Sequence, residues 1–319
     1  MTSPYLVSRR AAQLTSYLSV IIPIRDRRSH LYLTLTALDC SGFRDFEVVV
    51  VDDGSVDHPE LACAYFEGVM NVKCVHLDKT PGFGANRARN VGVAESIGEE
   101  LLFLDSSILL HYDALQHHVN LRQGNDQRTI VSGQYDWLPP MSITPGDVIG
   151  NWQAIRECRL PRNASWNRLA LKGIVGADPR TFEHPGFFDF RKRGVQPHGF
   201  ALQLYGANMC INKEVFLALG SFDEAMNRHG GEDCEFALRA EAQGCAVVFA
   251  SEPLGLHMYH DRDQKQNELD VQANIAYIRE RYNLVAMGII EGEDAELPLI
   301  ARQGVQDGSS ICDPDVQPS

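Results

Sequence analysis

Carboxylates follow apolar runs at several points of this chain, and carboxylates bind nucleosides, hard cations and exchangeable protons. Asp52 and Asp53 end the mostly apolar run 46–51 and precede Gly54-Ser55. A carboxylate in that position can accept a hydrogen bond from a nucleobase N–H or a ribose hydroxyl. The same Asp-Asp-Gly-Ser segment is also typical of a plain strand-to-loop turn, in which the aspartates cap backbone N–H groups. Both interpretations stay open for this segment alone.

Asp105 closes a second apolar run, Leu102-Phe-Leu, and is followed by Ser106 and Ser107. An acidic side chain at the end of a buried strand is a suitable ligand for a hard divalent cation such as Mg²⁺ or Mn²⁺. The alternative is that Asp105 only ends the strand and that the two serines begin the next turn.

A third candidate segment is Gly230-Gly-Glu-Asp233. Two consecutive glycines allow the backbone to approach a ligand closely. Glu232 and Asp233 then begin a predicted helix, whose dipole stabilises negative charge at that end. A carboxylate there becomes a base near neutral pH only if it is partly desolvated. If it is not, the two acids only cap the helix.

His257 and His260 form a fourth candidate segment, which follows a predicted strand. Two imidazoles three residues apart can converge on one metal ion if the backbone turns between them. The same spacing also occurs between histidines of the surface or the core. The pair therefore predicts a metal site only in combination with the acidic segments.

Short β-branched segments alternate with helical segments over the first third of the chain. Strands are predicted at 18–24, 46–52, 72–77 and 100–105, and helices at 31–38 and 84–97. Strands separated by helices form βαβ units, so we predict an α/β fold with a mostly parallel central sheet. Ligands of such sheets bind outside the carboxyl ends of the strands, where Asp52, Asp53 and Asp105 all fall.

The second half of the chain is less regular. Residues 121–203 lack a clear period and carry Trp137, Trp152 and Trp166, which could stack against a ligand or fill the core. Long irregular stretches are often binding loops, so we predict a binding role for this one. Strands are then predicted at 205–211 and 245–250, and helices at 212–219, 232–243 and 268–283. The acidic composition after residue 283 predicts a mobile tail over 284–319.

The composition excludes several classes of protein. The chain has 319 residues, 44% of them hydrophobic, and a net charge of −13. A general nucleic-acid binder would carry a basic excess instead. The longest apolar run, 18–24, is far short of the about 20 residues that span a bilayer. The start of the chain also lacks the apolar core of a signal peptide, so we expect a cytoplasmic protein without a transmembrane segment.

The order of these segments resembles a known family. The first 110 residues resemble the nucleotide-binding half of a family 2 glycosyltransferase with the GT-A fold, through Val20-Ile-Ile-Pro-Ile24, Val51-Asp-Asp-Gly-Ser55, Ala88-Arg-Asn-Val-Gly92 and Leu102-Phe-Leu-Asp105. The later part resembles β-1,4-galactosyltransferases and polypeptide N-acetylgalactosaminyltransferases, through Gly230-Gly-Glu-Asp233 and His260-Asp-Arg-Asp-Gln-Lys265. The resemblance implies one GT-A domain over 17–283, with a Rossmann-like nucleotide-sugar half over 17–120 and an acceptor and catalytic half over 121–283.

The resemblance implies donor-binding roles for residues of the first half. Pro23 and Arg25 would lie beside the nucleotide, and Asp53 would hold the uracil ring while Asp52 supports the turn. Asp105 would be the first acid of the D-x-D motif and would contact the ribose or the cation.

Catalytic and metal-binding roles follow in the second half. Asp233 would be the general base, and Gly230, Gly231 and Glu232 would bind the acceptor. His260 would bind the cation together with Asp105. His257 occupies the position of a methionine ligand in galactosyltransferases, so this chain would use two histidines.

The activity implied by the resemblance is inverting transfer of a sugar from a UDP-sugar to an acceptor hydroxyl. Galactose, N-acetylgalactosamine or N-acetylglucosamine would be the sugar, and a glycan, a peptide or a small molecule would be the acceptor. Mn²⁺ or Mg²⁺ would neutralise the diphosphate. No role for nucleic acid is implied.

Ser107 departs from the family pattern, because the D-x-D motif usually ends in an acid that binds the cation. A serine hydroxyl is a weaker, neutral ligand. Either the two histidines replace the missing ligand, or metal dependence is reduced, or catalysis is lost and the protein only binds a nucleotide-sugar. A nucleotidyltransferase is a further alternative, but the segment Ile24-Arg-Asp-Arg27 lacks the glycine-rich phosphate loop of that class.

Overall fold

The structure is a computed structural model that describes residues 17–159, 204, 206–251, 254–261 and 264–282. The predictions for Trp166 and for the tail 284–319 lie outside the described residues. The remaining candidate site residues are all described.

Residues 18–104 form alternating strands and helices, as the apolar runs predict. The strands are β1 (Leu18–Ile24), β2 (Phe46–Asp53), β3 (Val72–Leu77) and β4 (Glu100–Leu104), and the helices are α1 (Arg28–Asp39), α2 (Glu60–Phe66) and α3 (Ala85–Glu95). All four predicted strands and both predicted helices are confirmed. Every residue of β2 is buried, which explains its almost continuous apolar sequence.

The later elements are shorter and more mixed. They are β5 (Ile108–Leu110), α4 (Ala114–Gln123), β6 (Thr129–Ser132), β7 (Asp136–Trp137), α5 (Pro145–Gly150), α6 (Trp152–Glu157), β8 (Asn208–Asn212), α7 (Lys213–Ala218), α8 (Glu232–Ala242), β9 (Ala246–Phe249), β10 (Gly255–His257) and α9 (Gln264–Arg281). The expectation of an irregular stretch is wrong for 121–159, which contains several of these elements. Most of them have six residues or fewer, too few for a hydrophobic period to emerge.

Seven strands form the central sheet in the order β3-β2-β1-β4-β8-β6-β9. β8 is antiparallel to both of its neighbours, and the other pairs are parallel. The predicted mostly parallel α/β sheet is therefore confirmed. Since β1 lies between β2 and β4, the strand order reverses there, and the carboxyl ends of these three strands border a crevice that suits a ligand.

A small second sheet, β5-β10-β7, adjoins this crevice. β10 pairs antiparallel with β5 and parallel with β7, so His257 lies opposite both Ile108 and Trp137. This pairing brings the histidine segment to the chain that follows Asp105.

An aromatic cluster fixes α7 and α8 against the sheet. The ring centroids of Phe103 and Phe216 lie 5.0 Å apart, and those of Phe216 and Phe236 lie 5.4 Å apart. All three side chains are fully buried. The start of α8 is thereby held at a fixed place relative to β4. No helix in the described ranges is both long and apolar enough to cross a membrane.

Candidate active site

A cavity of about 870 Å³ opens at the carboxyl ends of β1, β2 and β4. Its volume lies within the range of about 300 to 1,000 Å³ that is usual for small-molecule sites. Five of the predicted site residues line it, namely Pro23, Arg25, Asp53, Asp105 and His260. The cavity thus brings together four of the residues predicted to bind the donor and one predicted metal ligand, His260, and the other predicted site residues lie outside its lining.

Asp53 ends β2 and is held from two sides. Its Oδ1 accepts hydrogen bonds from the Thr80 N–H at 3.0 Å and from the Thr80 hydroxyl at 2.5 Å. Its Oδ2 forms an ion pair with Arg25, whose guanidinium also donates to the Thr80 and Gly82 carbonyl oxygens. Arg25 thus joins the end of β2 to the loop after β3, which forms one wall of the cavity.

Gly84, at the N-terminus of α3, leaves room for the Asp53 carboxylate. A Cβ on Gly84 would overlap all three carboxyl atoms of Asp53. A glycine is therefore required here by a close approach between the loop and the carboxylate.

Asp52 is buried behind this contact, with 1% of its surface exposed. Its Oδ1 accepts the Ser55 N–H at 2.9 Å, and its Oδ2 lies 2.6 Å from His76 Nδ1. The first of these bonds closes the Asp-Asp-Gly-Ser turn. Asp52 supports the turn and does not face the cavity.

Asp105 follows β4 and contacts a buried arginine. Its Oδ1 accepts a hydrogen bond from Arg89 Nη2 at 3.1 Å, while a third of its side chain stays exposed. Arg89 Nη1 lies 3.8 Å from Glu232 Oε1. One guanidinium therefore connects the donor cavity to the start of α8.

Glu232 and Asp233 form the first turn of α8, as predicted. Glu232 is 5% exposed, and its Oε2 has no hydrogen-bond partner among the described residues. Asp233 is half-buried, and its Oδ2 accepts the Gly206 N–H at 3.0 Å. Burial and, secondly, the Glu232 carboxylate raise the pKa of Asp233 to about 8, against the opposing effects of Arg89 and of the Gly206 N–H.

Gly230 and Gly231 both have positive φ, of 85° and 94°. A Cβ on Gly230 would lie 2.7 Å from Val271 Cγ2 on α9. Asn274, also on α9, donates to the Gly230 carbonyl oxygen at 2.7 Å. The two glycines thus let the chain pass close to α9 before α8 begins, and their predicted contact with an acceptor stays a prediction.

His257 is buried in β10 and bonded through both ring nitrogens. Nδ1 lies 2.8 Å from the Met258 carbonyl oxygen, and Nε2 lies 3.2 Å from the Ser107 hydroxyl. Because the carbonyl oxygen can only accept, Nδ1 carries the proton and Nε2 accepts from Ser107. The ring also packs against Trp137, with centroids 4.0 Å apart, so Trp137 belongs to the packing around this histidine.

The possible metal ligands at the cavity suit a cation that is bound mainly by a diphosphate. Among the described residues no three His, Cys, Asp or Glu side chains converge on one point. Asp105 and His260 nevertheless both line the cavity, and the His257 and His260 rings are 5.3 Å apart. Mg²⁺-type ions in nucleotide sites take one or two carboxylates and complete their shell with phosphates and water. The residues present therefore fit a cation carried in by the donor.

Two residues of this site are not among those predicted from the sequence. Thr80 holds Asp53, and no sequence signal marks it. Arg89 belongs to the segment Ala88-Arg-Asn-Val-Gly92, which carries the family resemblance. A charged residue between buried Ala88 and buried Gly92 on one helix is the signal that could have identified it, because a buried arginine requires acidic partners.

Two family models match the chain. Residues 19–139 match the family described as Glycosyl transferase family 2, and residues 187–268 match Glycosyl transferase family group 2. Together the matches cover more than half of the 319 residues. The further resemblance to β-1,4-galactosyltransferases and polypeptide N-acetylgalactosaminyltransferases stays a prediction.

Curated relatives are similar over most of this chain. The uncharacterized glycosyltransferase YfnE of Bacillus subtilis (strain 168) is 23% identical, over 83% of this chain and 70% of its own length. The chondroitin synthase of Escherichia coli is 26% identical, over 84% of this chain and 40% of its own length. The chain thus spans well under half of the chondroitin synthase.

Solved structures share the fold. S. aureus TarS 1-349 in complex with UDP-GlcNAc superposes with a TM-score of 0.55 at 16% identity, over 84% of this chain and 67% of that one. The mannosyltransferase PcManGT from Pyrobaculum calidifontis, in complex with GDP-Man and Mn²⁺, gives a TM-score of 0.53 at 15% identity, over 83% of this chain and 63% of that one. The predicted GT-A fold is confirmed.

Proposed function

Because the chain belongs to the family 2 glycosyltransferases of the GT-A fold, we propose that it is an inverting enzyme that moves a sugar from a UDP-sugar to an acceptor hydroxyl. One observation carries the proposal. Asp233, a half-buried aspartate with a raised pKa, directly follows Glu232, and Arg89 pairs Glu232 with Asp105 at the edge of a nucleotide-sized cavity.

The donor would occupy the cavity with its uracil at Asp53. Carboxylate oxygens there can accept the N–H of the base, while Pro23 and Arg25 border the same space. The complex of TarS holds UDP-GlcNAc, which supports a UDP-sugar here. The sugars we propose are galactose, N-acetylgalactosamine and N-acetylglucosamine.

A divalent cation, Mn²⁺ or Mg²⁺, would be held by Asp105 and His260 together with the diphosphate. The Mn²⁺ in the PcManGT complex supports this assignment. When bound, the cation would stabilise the negative charge that develops on the leaving diphosphate. The Nε2 lone pair of His257 would become available to the cation only if the Ser107 hydroxyl turned away from it.

Asp233 would act on the acceptor. The acceptor oxygen attacks C1 of the sugar, the bond from C1 to the diphosphate oxygen breaks, and the hydroxyl proton passes to the Asp233 carboxylate. Attack from the face opposite the diphosphate inverts the configuration at C1. Oε2 of Glu232, unpaired within the described part of the chain, would accept a hydrogen bond from an acceptor hydroxyl. General base assistance of this kind contributes about 10²- to 10⁴-fold to a rate.

A protein that binds a nucleotide-sugar without transferring it is the second candidate. The observation in its favour is Ser107, which is buried, neutral and bonded to His257 where the family has an acid. The intact pair Glu232 and Asp233 argues for the enzyme.

Asp233→Asn tests the two candidates. A panel of UDP- and GDP-sugars with Mn²⁺ is first screened by thermal shift, since a ligand that binds the native state raises its stability. Transfer to glycan, peptide and small-molecule acceptors is then followed by release of the nucleoside diphosphate. We expect D233N to keep the donor-induced thermal shift and to lose transfer by about 10²-fold or more.

The matched control is Asp39→Asn. Asp39 lies on α1 and pairs at 3.6 Å with Arg44 at the surface, so D39N should transfer at the wild-type rate. Equal turnover in D233N and wild type would reject Asp233 as the base. Donor binding without turnover in the wild type would support the binding protein.

A further inference from the structure

One side of α3 contacts residues 222–223, which precede α8 in the chain. Asn86 donates to the Asp223 carbonyl oxygen at 2.9 Å. Asn90 exchanges two hydrogen bonds with the Phe222 backbone, at 2.9 and 3.0 Å. Residues three and four positions apart lie on one helix face, and Arg89 belongs to the same face. α3 therefore joins the donor half to the segment that precedes α8.

Arg89 occupies the centre of this junction with 3% of its side chain exposed. Its guanidinium contacts Asp105 and Glu232, at 3.1 and 3.8 Å, and lies 5.4 Å from the centroid of the Phe222 ring. A Cβ on Gly206 would approach the guanidinium carbon to 3.4 Å. The backbone that binds Asp233 through the Gly206 N–H is thus packed directly against Arg89.

Two buried polar atoms of this cluster are unpaired within the described residues. Arg89 Nε and Glu232 Oε2 are both buried without a hydrogen-bond partner among the described residues. Buried polar groups in native proteins are nearly always paired, so each unpaired one calls for an explanation. Arg122 offers a contrast, because its guanidinium binds Glu100 at 2.8 Å and three backbone carbonyl oxygens as well.

We propose that Arg89 is a positioning residue that holds Asp105 of the donor subsite and Glu232 of the acceptor subsite at a fixed separation, so that the sugar and the acceptor meet in line. The inference rests on the proposed function. A guanidinium has several donors in a rigid plane and can serve two carboxylates at once, whereas the ammonium of lysine is a point charge on a flexible stem. Alignment therefore requires arginine, while charge alone is supplied by either residue.

The test compares Arg89→Lys and Arg89→Gln with the wild type and with Arg122→Lys. Arg122 is the matched control because it forms a buried ion pair with Glu100 at the opposite end of β4. We expect R89K to lower kcat by about 10²-fold, the usual loss when reacting groups are displaced by about 1 Å. The KM for the donor should change less than kcat, because the contacts of Asp53 and Arg25 at the other end of the donor are untouched. R122K should lower thermal stability and leave kcat per folded molecule unchanged.

The pH profile separates charge from alignment. Asp233 faces Glu232 and Cys234 on its own helix, Arg89 on α3, and the Gly206 N–H ahead of β8. Since Arg89 lowers the pKa of Asp233, R89Q should move the inflection of the rate to higher pH by about one unit or more, whereas R89K should keep it.

Each outcome decides the inference. Wild-type kcat in R89K, or equal losses of kcat in R89K and R122K, would reject it. If both Arg89 variants fail to fold while R122K folds, Arg89 is a core stability residue and the inference is also rejected. Failure of the proposed function is distinguishable, because in that case the wild type itself shows no transfer.

Discussion

The rate of transfer should depend on pH in a range far above that of an ordinary aspartate. Burial is the main cause of the raised pKa of Asp233, the Glu232 carboxylate is the second, and together they bring it to about 8. A general base works only when it is deprotonated. The rate should therefore rise with pH until Asp233 is ionised and then level off.

The size of the effect follows from the pKa. At pH 7 about one-tenth of the molecules would carry an ionised Asp233, and at pH 6 about one-hundredth. Rates at pH 6 should accordingly be about a hundredfold below the plateau reached above pH 9. An aspartate with the ordinary pKa of about 3.9 would be fully ionised across this range and would give no such slope.

The assay is the initial rate of nucleoside diphosphate release from pH 5.5 to 9.5. Donor and acceptor are kept well below their KM values, because kcat/KM reports the ionisation of the free enzyme. Thermal shifts with UDP at each pH test whether donor binding itself changes over the range. D39N should follow the wild-type curve, and D233N should stay low throughout.

Two results would refute the reasoning. A profile that is flat from pH 5.5 upward would mean that the base, whichever residue it is, titrates well below this range. An inflection near pH 8 that persists in D233N would assign the titration to another group.

Further predictions concern stability, donor binding and the cation. Because the pKa of Asp233 is raised in the folded state, its contribution to stability is full below about pH 4 and is lost as pH rises to about 8. D233N does not titrate at this position, so its melting temperature should exceed that of the wild type. The difference in melting temperature should widen from pH 5 to pH 8 and then stay constant. A difference independent of pH would contradict this prediction. Gly84→Ala should weaken UDP binding in calorimetry, because the added Cβ would displace the Asp53 carboxylate. Gly150→Ala is the control: a Cβ added there meets nothing within 4 Å, so this variant should bind UDP normally. His260→Ala should reduce the gain in UDP affinity on adding Mn²⁺, about tenfold or more in calorimetry, and an unchanged gain would remove His260 from the cation site.

The acids that line the cavity could be predicted because their sequence signals are local. Each acid, Asp53 or Asp105, ends an apolar run, and parallel strands bring such ends to one edge of a sheet. The pattern also places Glu232 at a helix start, because Gly230 and Gly231 precede it. Short-range patterns were sufficient for these positions.

The contacts between the subsites could not be predicted, because they join distant segments. Ser107 and His257 lie 150 positions apart, and their hydrogen bond depends on the pairing of β10 with β5. That pairing involves three residues of each strand, too few to be recognised from alternation. The acidic partners of Arg89 are equally hidden, since they come from the end of β4 and the start of α8.

The acids of the site argue for a cation independently of Ser107. Asp105, Glu232 and Asp233 all act on the one guanidinium of Arg89, so negative charge exceeds positive charge when the acids are ionised. A diphosphate would add to this excess, and two like charges 4 Å apart repel by about 4 kcal/mol at an effective dielectric constant of 20. The raised pKa of Asp233 relieves part of the repulsion by protonation, but a base must lose that proton to act. A cation bound with the diphosphate would remove the conflict, and a neutral serine at 107, buried beside His257, adds no further negative charge.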